Sequence, residues 1–97
     1  MRYTKLTNVI FLPSIQIDDP DVEVITRDER VDVYVDLRTL ETREDDLALR
    51  ADISAVYIYD KSRRAVIKIV KLPVQVKSYP LTFHLRNGTL IINLQRL

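Results

Sequence analysis

The sequence contains no cysteine, which excludes disulfides, thiolate metal sites and cysteine nucleophiles. Its single glycine, Gly88, cannot build a phosphate-cradling loop, which needs several. There is one histidine, His84. Metal binding or acid–base work sets a histidine beside a partner, whereas His84 alternates with Phe83 and Leu85 and is expected on the outer side of a sheet. Long apolar runs are also missing. Val9–Leu12 spans four residues, short of the roughly 7–15 of a secretory leader and the roughly 18 of a membrane span. Basic and acidic residues nearly cancel, 15 against 14, so no global field draws the chain to nucleic acid or anionic lipid. These absences predict a soluble, cytoplasmic protein that is not an enzyme and uses no cofactor or metal. Its 97 residues suffice for one hydrophobic core, hence one domain.

What is present argues for strands. Val and Ile number 11 and 10 against 4 Ala, and β-branched side chains suit a pleated surface better than a helix. In Val31-Asp32-Val33-Tyr34-Val35-Asp36-Leu37 the odd positions are apolar and the even ones mostly acidic, the period of a strand with one face in a core. Val22-Glu23-Val24 repeats the alternation, and Arg27–Arg30 between them reads as a hairpin turn. Further strands are predicted at Leu47–Ala51, Ala55–Tyr59, Ala65–Leu72, Leu81–Leu85 and Thr89–Leu94. Asn87-Gly88 is the strongest local signal, because both residues tolerate the positive φ of a type I′ turn. The prolines Pro13, Pro20, Pro73 and Pro80 are expected between strands, where a missing N–H costs nothing. Thr42-Arg43-Glu44-Asp45 could open a helix, but its apolar spacing does not continue and no more than one turn is expected. Seven or eight short strands at this spacing predict an all-β, antiparallel, immunoglobulin-like sandwich.

Few residues suggest chemistry. Asp18-Asp19-Pro20-Asp21 offers carboxylates to a hard cation, but Ca²⁺ takes about six to eight oxygens and no glycine wraps this loop, so a solvated turn is expected. Glu44-Asp45-Asp46 reads the same way. Lys61-Ser62-Arg63-Arg64 is the densest basic cluster. With Tyr57 and Tyr59 alternating onto one nearby face, Lys61, Arg63 and Arg64 form the candidate nucleic-acid patch. A charged hairpin tip guarding a sheet edge is the simpler reading.

Several motifs together resemble a known family. Lys68-Ile69-Val70-Lys71-Leu72-Pro73 resembles the basic–alternating–Leu-Pro pattern of small heat-shock proteins. Asn87-Gly88-Thr89-Leu90-Ile91-Ile92 resembles their Asn-Gly-Val-Leu hairpin and closing strand. Val33-Tyr34-Val35-Asp36-Leu37 followed by Glu44-Asp45-Asp46-Leu47 is similar to their strand and acidic turn. Phe83 and Thr89 depart from the usual Ala and Val. The loop between Tyr59 and Ala65 is far shorter than the one that exchanges a strand between subunits. No Ile-x-Ile tail follows the last strand, a form that resembles the CS-domain co-chaperones.

The resemblance implies an α-crystallin-like domain over residues 1–97, with 1–14 as an N-terminal arm. It implies an ATP-independent chaperone or co-chaperone that holds unfolded or partner polypeptide in a hydrophobic groove, with a homodimer as one assembly. The groove is expected where Val31–Leu37 and Leu81–Leu85 approach, lined by Val35, Leu37, Leu81 and Phe83. Ile15-Gln16-Ile17 has the Ile-x-Ile spacing, and its two apolar side chains would point the same way from an extended segment. Ile15 and Ile17 are thus a candidate groove-docking segment, or else part of a first strand.

Overall fold

The computed structural model describes residues 19–97 and is all-β, with seven strands in two antiparallel sheets. In chain order these are β1 (Val22–Thr26), β2 (Arg30–Asp36), β3 (Leu47–Ala51), β4 (Ala55–Asp60), β5 (Ala65–Lys71), β6 (Val76–Arg86) and β7 (Thr89–Arg96). One sheet has the order β1-β2-β7-β6 and the other β3-β4-β5. The predicted hairpin of β1 with β2 is present, with Val24 opposite Val33. Asn87 and Gly88 take φ of 51° and 81° and join β6 to β7. Only glycine fits at position 88, because a Cβ there would run into the Arg38 side chain and lie 3.2 Å from its Cα. Backbone closes this corner, since the Leu37 amide donates to the Gly88 carbonyl at 2.8 Å.

The alternation read from the sequence sets the core. Val31, Val33, Val35 and Leu37 face inward beside Leu90, Ile92 and Leu94, and Val56, Ile58 and Val70 meet them from the other sheet. Fully burying one such side chain contributes about 1.5–3 kcal/mol. Asp32, on the opposite side of β2, was expected in solvent but is 1% exposed. The reason is a lid of partners: Arg27 Nε at 2.7 Å, Asn93 Nδ2 at 2.8 Å and Arg30 Nε at 3.3 Å.

Two other expectations change. Pro80 lies within β6 and not between strands. The pairing of β6 with β7 breaks between Val76 and Leu81, so Pro80 sits where no ladder hydrogen bond is asked of it. The acidic turn holds one 3₁₀ turn, Glu44–Asp46, and a second at Arg38–Leu40 was not anticipated. Among the described residues no helix is long and apolar enough to cross a membrane.

Candidate functional site: the seam between edge strands β3 and β6

The expected meeting of β2 with Leu81–Leu85 does not occur, because β7 lies between them in the sheet. The strand that comes up against β6 is β3, from the other sheet. The structure also divides the four predicted groove residues. Val35 and Leu37 are 0% and 1% exposed. They belong to the core and offer a partner no surface. Leu81 and Phe83 are half-buried and pack on that core from the edge strand, as do Leu85, Leu49 and Ala51. The sequence reading missed Leu49, Ala51 and Leu85, although alternation in β3 and β6 was the signal that would have found them.

Backbone direction on these two strands follows from pairing. In an antiparallel ladder, alternate residues turn N–H and C=O to the partner strand and the others turn them away. The Lys61 amide donates to the Asp46 carbonyl at 2.7 Å and Asp52 N–H to the Ala55 carbonyl at 3.0 Å. Those bonds put Ala48 and Arg50 in the β4-bonded set and leave Leu47, Leu49 and Ala51 facing the open edge. On β6 the Leu85 amide donates to the Glu44 carboxylate at 2.7 Å, which places Leu85, Phe83 and Leu81 in the set turned away from β7. Each strand therefore aims apolar side chains into the seam while the same residues' backbone groups face outward.

At the opposite side of the sandwich the arrangement differs. Lys68 on β5 stands opposite buried Ile58, and its Nζ reaches the Asp19 carboxylate at 2.7 Å. Of the candidate cation ligands, Asp19 is thus an ion-pair partner, Asp18 lies outside the described residues, and no group of potential ligands able to hold a metal occurs among the described residues. Ile15 and Ile17 also lie outside them.

The basic patch is partly dismantled. Arg63 donates to Asp60 Oδ2 at 3.0 Å, to Thr42 Oγ1 at 3.1 Å and to the Leu40 carbonyl, so it is structural. Asp60 is 1% exposed. Burial pushes its pKa up, but hydrogen bonds from Ser62 and Arg63 and the Arg63 charge outweigh this and hold it below the ordinary carboxylate value. Lys61 and Arg64 are exposed. Tyr57 and Tyr59 share the outer face as expected, but the Tyr57 hydroxyl donates to Asp52 at 2.9 Å. His84 is exposed on the outer side of β6.

No family model matches this sequence, and no curated protein sequence matches it. Solved structures do. Heat shock protein 16.0 from Schizosaccharomyces pombe superposes with a TM-score of 0.64 at 16% identity, over 80% of this chain and 66% of that one. A point mutant of hsp14.1 from Sulfolobus solfatataricus P2 gives 0.64 at 22% identity, over 80% of this chain and 72% of that one. The Del-C4 mutant of the same protein gives 0.63 at 23%, over 79% and 74%. The chain thus has the α-crystallin-like β-sandwich fold of small heat-shock proteins. Its sequence departs far enough from them that the likeness speaks for the fold alone.

Proposed function

We propose that this domain is an ATP-independent, chaperone-like or co-chaperone module that holds extended polypeptide segments in the β3/β6 seam. The observation that carries the reading is the coincidence, on both edge strands, of inward apolar side chains with outward backbone groups. An extended segment laid along β6 would gain main-chain hydrogen bonds from Leu81 and Phe83 and seat alternate side chains between Leu81, Phe83, Leu49 and Ala51. Val35 and Leu37, buried in the core, would not be part of the contact surface. Burying about 300–500 Å² of apolar area at ~25 cal/mol per Å² is worth on the order of 10 kcal/mol gross, most of it consumed by ordering. Binding of this kind is weak and tolerant of sequence, which suits unfolded clients. The fold shared with heat-shock proteins supports a chaperone-like role. The rival reading, a nucleic-acid-binding accessory domain, loses support because Arg63 is already committed to Asp60, Thr42 and Leu40.

The test is protection of a heat-unfolding client followed by light scattering. Phe83→Asp is expected to abolish protection while the circular dichroism of the domain is retained. Unchanged protection by a folded Phe83→Asp protein would remove the seam from the account.

A further inference from the structure

Glu44 stands at one mouth of the seam. The turn Glu44–Asp46 leads directly into β3, and one oxygen of Glu44, Oε1, accepts the outward amide of Leu85 on β6. Among the described residues it makes no ion pair, and Oε2 accepts no hydrogen bond. An exposed carboxylate, without an ion-pair partner among the described residues, is therefore held beside the last apolar side chain of the β6 edge, and its second oxygen keeps acceptor capacity there.

We propose that the seam selects segments in which two apolar residues, two positions apart, are followed or preceded two positions on by Lys or Arg, with that cation meeting Glu44. This rests on the seam reading above and names the partner chemistry. The spacing comes from the strand itself. Leu81, Phe83 and Leu85 repeat every second residue, so a segment that places apolar side chains at the levels of Leu81 and Phe83 places its next same-facing side chain at the level of Leu85 and Glu44. A cation there satisfies the free oxygen, and an acidic residue is repelled. The chain's own Ile15-Gln16-Ile17 is followed by Asp18 and Asp19. Asp19 is held by Lys68 at the opposite border of the sandwich, and an acidic flank would meet Glu44 with like charge, so the occupant that fits is a basic-flanked segment of another protein.

The experiment uses the full chain and three labelled peptides followed by fluorescence anisotropy at low salt. One has the core Lys-Thr-Leu-Thr-Leu-Thr-Lys, the second carries Glu at both ends, and the third keeps Lys but replaces both Leu by Ser. The Lys–Leu peptide is expected to bind about threefold to fivefold tighter than the Glu–Leu peptide, the range of a partly exposed ion pair. Glu44→Gln, which keeps an acceptor for Leu85, should bring the two within about twofold, and raising salt should do the same to the wild type. Glu44→Lys should reverse the order. Equal binding of both Leu peptides by the wild type, or a preference untouched by Glu44→Gln, overturns the proposal and leaves the seam reading standing. Binding of the Ser peptide as tight as that of the Lys–Leu peptide overturns it as well, since charge alone would then suffice. If neither Leu peptide binds, the seam reading itself has failed.

Discussion

Edge strands β5 and β6 face the same hazard and handle it differently. A strand at the border of a sheet presents unpaired backbone groups to any passing chain. On β5 that edge is defended. Lys68 points inward and is held by Asp19, the pairing with β4 slips between Ile58 and Tyr59, and Lys71 closes the strand. On β6 the inward positions are Leu81, Phe83 and Leu85, none charged, and the intrusion on its edge is one carboxylate from Glu44. A charged side chain and a bulge make an edge a poor template, whereas an apolar edge whose pairing runs unbroken from Leu81 to Arg86 invites company. One fold thus keeps a closed border and an open one, and the open border is the one the proposed binding role uses.

The contrast breaks most severely if a core residue is taken for a wall of the seam. Leu37 is 1% exposed and Phe83 half-buried. Leu37→Asp places an unpaired carboxylate in the core and should leave no folded domain. Leu37→Ala should cost about 2–5 kcal/mol, read by urea unfolding. Phe83→Asp should keep a cooperative transition. If Leu37→Asp folds and fails solely in client protection, Leu37 is a wall after all.

The next largest effect concerns the corner that holds the three-stranded sheet to the rest. Asp60 accepts from the Ser62 amide and hydroxyl at 2.9 and 2.7 Å as well as from Arg63, and Arg63 ties that hairpin to Leu40 and Thr42. Asp60→Ala orphans these donors and should cost about 2–4 kcal/mol in the same unfolding experiment. A loss under ~0.5 kcal/mol, the scale of an ordinary surface substitution, would mean the corner is dispensable.

A smaller change tests the defended border directly. Lys68→Ile removes the inward charge and makes β5 resemble β6, with Val66 and Ile69 already 56% and 49% exposed on that strand. Light scattering against concentration should then detect dimers or larger species at concentrations where the wild type shows none. Identical masses for both proteins would show that the bulge alone protects the edge.

Much of this was readable in the sequence, because alternation reports local geometry. The odd positions of Val31–Leu37 announced an inward face, and Asn87-Gly88 announced its turn. What alternation does not report is which strands become neighbours. Leu37 and Phe83 have the same apolar, inward-facing pattern, and nothing local says that one ends beneath β7's core side chains and the other on an open edge. Hence the groove was expected where β2 meets β6, whereas in the fold β7 separates those two strands and β3 is the one that comes up against β6. Arg63 was misjudged for the same reason. It reads as part of a solvated cluster, and its partners Leu40 and Thr42 lie more than twenty positions away.

The gentlest probe is acid, which acts on the charge-held elements of the sandwich and spares apolar packing. Hydrogen bonds from the Arg38 side chain and backbone hold Asp36 down to about 2. Hydrogen bonds from the Ser54 amide and the Tyr57 hydroxyl lower Asp52, and Asp60 and Asp32 are lowered despite their burial. A carboxyl group whose folded value lies below its unfolded one stabilises the fold fully above the unfolded value, about 3.9, and loses that contribution as pH falls toward the folded value. The thermal midpoint should therefore be nearly flat above about pH 5 and fall progressively from about pH 4 toward pH 2. Asp60→Asn should flatten part of that descent at the cost of a lower plateau. The walls of the seam, Leu81, Phe83, Leu49 and Ala51, carry no ionisable group, so at pH 4.5 an apolar segment with uncharged ends, which asks nothing of Glu44, should bind as it does at pH 7. A marked loss of that binding while the thermal midpoint is still flat would show that charge supports the open border as much as the closed one, and the distinction between the two edges would lose its physical basis.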